Sequence, residues 1–190
     1  MIYAGFWKRS VALLVDGLLL TPLSFIFVML DGVSRPMALL SALAFAVVAY
    51  GYEVGCVARW GQTLGKYAVG IRVVRSDGSR VGWREAWLRS SVDLGFACIL
   101  FLGDTSAIVH APASLWTDVG WMVRQAKLQA ARPDAIEFVA WVQMGWLLGE
   151  VVSVLFNEKK RSLHDYIAGT VVIVEAPLAV PVDARPAAAS

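Results

Sequence analysis

Apolar residues in this chain are gathered into four long runs, at about 10–30, 37–57, 92–108 and 135–156, with polar stretches between them. The first two hold about 20 residues each, enough to cross roughly 30 Å of hydrocarbon at 1.5 Å per helical residue. Four transmembrane helices are therefore expected. The polar segment 58–90 breaks the pattern. Gln62 to Val69 reads as a short helix on the membrane surface. Ile71 to Arg75 and Arg80 to Trp83 flank an Asp77-Gly78 turn and read as a short β-hairpin. Trp83 to Ser91 leads as helix into the third span. Leu115 to Ala131 predicts one amphipathic interfacial helix with Trp116, Trp121 and Met122 towards lipid, ended by Pro133. Ser162 to Ala168 suggests a short helix, Thr170 to Glu175 a strand, and 177–190 a disordered Ala/Pro tail. The predicted fold is an all-α membrane protein, four transmembrane helices with a small cytoplasmic β-hairpin or strand element, in one domain over residues 1–176.

Composition agrees with the pattern. Of the 190 residues 58% are apolar and 17% charged, against about 25% charged in soluble domains. Eight Trp and five Tyr suit two water–lipid interfaces. The first run is preceded by Lys8 and Arg9 but lacks a small-x-small cleavage site, so an uncleaved span is expected. Of 17 basic residues, thirteen fall before span one, between spans two and three, or after span four. The opposite side holds only Arg35, Arg124, Lys127 and Arg132. The positive-inside rule then puts both termini in the cytoplasm. Cys56 and Cys98 form no disulfide framework or zinc motif.

The chemistry starts with Asp16, inside the first span. A carboxylate at that depth costs roughly 2.5–3.5 kcal/mol on insertion scales, so it needs a partner. Arg9, seven residues earlier, shares its helix face but sits about 10 Å away along the axis. A bridging residue from another span, or a water, is implied. Glu53, Asp93 and Glu150 lie at similar depth, so each span supplies one acid to a candidate cation or ligand site. Together the four would repel unless protonated, cation-bound or met by arginines of the 58–90 loop, with Arg72 one such partner. His164-Asp165 is a further candidate pair. Gly61-Gln-Thr-Leu-Gly-Lys66 lacks the spacing of a phosphate loop, and its glycines fit sharp backbone turns. No metal site, cofactor motif or catalytic triad assembles, so an enzyme is not expected, and no surface suits nucleic acid.

Three blocks of residues resemble the RDD family of small bacterial membrane proteins. They are Phe6-Trp-Lys-Arg9 through Leu13-Leu-Val-Asp16-Gly, Gly61 to Lys66 through Gly70-Ile-Arg-Val-Val74, and Lys160-Arg-Ser-Leu-His-Asp165-Tyr-Ile-Ala-Gly-Thr170. The resemblance implies that Arg9, Asp16 and Asp165 are the arginine and two aspartates of the family's name. It also implies a bacterial inner-membrane protein with suggested transport of an unidentified ligand, sodium–proton exchange being attributed to some members. Taken together, the expectation is a protein that moves a cation or small solute as a homo-oligomer or within a membrane complex. The alternative is a non-transporting adaptor or assembly factor with a basic cytoplasmic docking face.

Overall fold

The computed structural model describes residues 1–175; the expected tail at 177–190 lies outside them. Four long helices cross the molecule: α1 (Phe6–Asp31), α2 (Arg35–Trp60), α4 (Trp83–His110) and α7 (Asp134–Phe156). Each is long and apolar enough to span a bilayer. Large side chains such as Leu13, Leu18, Phe25, Phe138 and Phe156 point outward from them. A water-soluble domain does not expose apolar surface on that scale. The helices overrun the apolar runs because nothing at the water-side margins breaks them. α4 begins nine residues before the expected span, where Glu85 accepts the backbone N–H of Gly82 at 2.9 Å and caps the first turn. Pro22 sits inside α1, and the Thr21 hydroxyl nearby donates to the Gly17 carbonyl at 2.8 Å.

Short elements gather at the two ends. One end carries α3 (Leu64–Ala68), β1 (Ile71–Arg75), α8 (Leu163–Ala168) and β2 (Thr170–Val174). Here the expected hairpin is corrected. β1 pairs antiparallel with β2, from Ile71 opposite Val174 to Arg75 opposite Thr170. Arg80 keeps only one bridge, to Val74. The Asp77-Gly78 turn does form, but residues 81–82 leave it to start α4. β2 offers Val171 and Val172 instead, both buried, and Val172 joins Ile71 and Val73 in one apolar cluster with Ala4, Ala12, Val54 and Val57. Core burial outweighs the shorter loop. The N-terminal segment adds to the same sheet, with Ala4 N–H donating to Val172 O at 2.8 Å.

The opposite end carries α5 (Ser114–Thr117) and α6 (Trp121–Ala130). The single amphipathic helix expected over 115–131 is thus two, divided at 118–120, where Gly120 precedes α6. Trp121 and Met122 are exposed as expected, but Trp116 is not lipid-facing. Its indole N–H donates to Asp31 O at 3.3 Å, and Arg35 stacks 5.6 Å from its ring. Leu115 and Leu128 close a second apolar cluster with Ala38, Ile108 and Ala111.

Candidate functional site

Asp16 finds its partners on α2 and in the segment that follows it. Tyr52 Oη donates to Oδ1 at 2.7 Å, Thr63 Oγ1 to Oδ2 at 2.5 Å, and Gly65 N–H to Oδ1 at 2.8 Å. Hydrogen bonds to a charged acceptor contribute about 1.5–3 kcal/mol each, enough to offset the insertion cost. The arrangement requires glycine at 65. A Cβ there would stand 2.1 Å from Ala12 O and 2.7 Å from the Asp16 carboxyl carbon. Gly61 serves differently: at φ +73° it ends α2 in the left-handed region, with its N–H on Val57 O at 2.8 Å. The two glycines of the loop are thus a helix stop and a close-approach site.

Arg9 does not reach Asp16. Its Nη1 pairs with Asp165 Oδ2 at 2.7 Å, Nη2 donates to Lys160 O at 2.6 Å, and Nε to Ala4 O at 3.2 Å. Asp165 is fully buried. Its other oxygen pairs with Arg89 and accepts from Thr170 Oγ1 at 3.1 Å, while Ser162 N–H caps back onto Oδ2 at 3.1 Å. Burial pushes this carboxyl up, but Arg89 and Arg9 outweigh it and hold Asp165 well below the usual carboxylate range. One carboxylate therefore fastens α1, α4, α8 and β2 together. Arg89 is one of the arginines of the 58–90 segment. Its position at the water-side margin of span three, matching that of Arg9 before span one, was the available signal.

His164 extends the network. Its backbone N–H donates to Glu150 Oε1 at 2.9 Å, and Nδ1 lies 2.8 Å from Glu150 Oε2. Nε2 lies 3.0 Å from Arg89 Nη2. A guanidinium only donates, so Nε2 is the acceptor in the contact with Arg89.

Beside these clamps lies a cavity of about 720 Å³. Asp16, Glu53, Asp93 and Glu150, one acid from each span, all line it, with Arg9, Lys66, Arg89 and His164. Leu13, Leu20, Phe45 and Val151 supply apolar wall. Among the described residues Glu53 and Asp93 make no ion pair. Lys66 enters from α3; burial pulls its ammonium below the ordinary lysine value, and Glu53 pushes it back up. Four carboxylates and three basic side chains (Arg9, Lys66, Arg89) line it with His164, and two of those bases, Arg9 and Arg89, are already paired with Asp165. The acids ring the cavity instead of meeting at one point. Among the described residues no three His, Cys, Asp or Glu side chains are grouped to hold a metal ion. Arg72 is outside this cavity, against expectation. It binds Gln62 Oε1 at 2.8 Å and Glu175 at 2.7 Å, because β1 turns it towards the end of β2.

A second cavity of about 310 Å³ lies towards the opposite end, lined by Ser24, Phe27, Asp31, Ser41 and Asp104 among others. Phe45 lines both cavities, and its ring meets Phe27 edge-on with centroids 5.8 Å apart.

Four apolar spans, with a buried arginine–aspartate clamp and a second aspartate pinning a glycine loop, define a small integral membrane protein organised around polar groups at one end of its bundle. The sequence profile of the RDD family matches residues 3–169, and the chain belongs to that family. It is similar to "Uncharacterized protein YckC" of Bacillus subtilis (strain 168), 27% identical over 177 residues that cover 92% of this chain and 86% of that protein. No solved structure matches it.

Proposed function

We propose that this protein moves a cation or small solute across the bacterial inner membrane, with sodium–proton exchange one form of that activity. The observation that carries the reading is a cavity lined by a carboxylate from every span, where acids outnumber the lysine and arginines four to three. A cation entering it gains what the acids otherwise lack in compensation. Glu53 and Asp93, which make no ion pair among the described residues, are the groups proposed to meet it, with Glu150 held against His164. Asp16 is proposed as a scaffold residue, since three donors already occupy it. Since no three metal-type side chains group among the described residues, a proton, a hydrated ion or an organic cation suits the space better than a stripped metal ion. The second cavity continues the line through the bundle, and Phe45 is the apolar partition between the halves. A path inside one chain does not require the homo-oligomer expected from the small number of spans. The excess of basic residues at the sheet end favours a cytoplasmic location for it.

The test is cation and proton flux in proteoliposomes. Glu53→Gln with Asp93→Asn is expected to abolish a flux that wild type supports. Flux unchanged by the pair would overturn the reading. The adaptor alternative rests on the exposed Arg80 and Arg84. A stoichiometric partner lost on R80E/R84E, with no flux in wild type, would favour it.

A further inference from the structure

A third hollow, of about 440 Å³, lies where α2 ends. Three arginines line it, Arg59, Arg72 and Arg80, and among the described residues no carboxylate does. Arg72 is held by Gln62 and Glu175, whereas Arg59 and Arg80 enter no ion pair among the described residues. The groove has a built floor. Gly61 in its left-handed conformation brings β1 against the end of α2, and Val73 N–H donates to Gly61 O at 2.7 Å. A side chain at 61 would meet Val73 O at 2.8 Å. Its rim is amphipathic: Trp60, Leu64 and Tyr67 are 60%, 56% and 70% exposed. Trp60 is the last residue of a membrane span. Aromatic rings at a span's end sit at headgroup depth, and guanidinium pairs match phosphate oxygens.

We propose that this groove binds the phosphate of an anionic lipid headgroup, with Arg59 and Arg80 as the phosphate ligands and Trp60, Leu64 and Tyr67 against the acyl-chain boundary. The partition of charge supports it. Nearby carboxylates are already spent on other arginines, so two cations remain at the depth where lipid phosphates lie. The site is independent of the acid-lined cavity and does not need transport.

The test uses the full chain in nanodiscs of phosphatidylcholine with a minor fraction of phosphatidylglycerol, released for native mass spectrometry. Wild type is expected to retain phosphatidylglycerol in preference to phosphatidylcholine. R59Q/R80Q should lose that preference by about fivefold per arginine. Both side chains are exposed, so the fold is kept. R84Q removes the same charge from an exposed position outside the groove and should leave retention unchanged. Equal retention in R59Q/R80Q, or an equal loss in R84Q, would overturn the proposal. So would inorganic phosphate binding as well as the lipid in phosphatidylcholine-only discs, which would make the groove a soluble-anion site.

Discussion

Replacing Asp165 by Asn isolates the charge of one buried atom pair while keeping its shape. In the native protein two guanidinium groups meet this carboxylate, with side-chain exposures of 15% for Arg9 and 7% for Arg89 against 0% for Asp165. Asn leaves two cations facing each other without a counter-ion. It also turns one acceptor into an N–H donor, aimed either at Arg9 and Ser162 N–H or at Arg89 and Thr170. Removing one partner of a buried ion pair costs about 3–5 kcal/mol. At about 2–4 °C per kcal/mol for a chain of this size, the apparent unfolding temperature in detergent should fall by roughly 6–20 °C. Tryptophan fluorescence during heating reads it directly. Acid dependence gives a second signature. The folded carboxyl is held below its ordinary value, so the unfolded chain takes up the proton first as pH falls. The contribution is complete above about pH 4 and is lost progressively below it. Asp165→Asn should lack that slope. A variant within about 0.5 kcal/mol of wild type would refute the clamp, as would one that keeps the full acid slope.

Three further outcomes follow from the same geometry. Gly65→Ala should displace α3 from α1 and cost about 1–3 kcal/mol, as overpacking does, because its Cβ would overlap Ala12 O; the same heating experiment checks it, and a neutral result contradicts the Asp16 contact. Lys66 should react with a small amine reagent at lower pH than exposed Lys8 and Lys159, since burial favours its neutral form; peptide mass spectrometry reads the order, and parallel reactivity would count against a desolvated site. Asp104→Asn should cost no more than about 1 kcal/mol, although the native pair with Arg132 is 2.5 Å long, because both side chains are more than a third exposed; a loss as large as that of Asp165→Asn would refute the distinction.

The helices were legible because their signal is local and redundant. Twenty consecutive apolar residues admit few structures other than a span, and Ser34, Pro36 and Gly61 mark where α2 begins and ends. The short helix at 163–168 was legible for the same reason: Ser162 and Asp165 cap its start and Gly169 ends it. The exchange of hairpin partners was not. A two-residue turn and flanking valines score equally well whether or not a more apolar strand arrives from elsewhere, and only the folded chain brings Val172 beside Ile71 and Val73.

Sequence alone determined that four apolar segments cross a membrane, that each carries an acid towards the same end, and that an arginine heads the first of them. Those are properties of composition and spacing along the chain. Which base answers which acid was decided only by tertiary structure. Arg9 passes over Asp16, its neighbour on the same helix, for Asp165 far along the chain, and Arg89 joins it there. Asp16 turns instead to a tyrosine, a threonine and a glycine amide. Electrostatic pairing falls steeply with separation and burial sharpens it further. It therefore depends on ångström-scale placement that folding sets and that residue order does not encode locally.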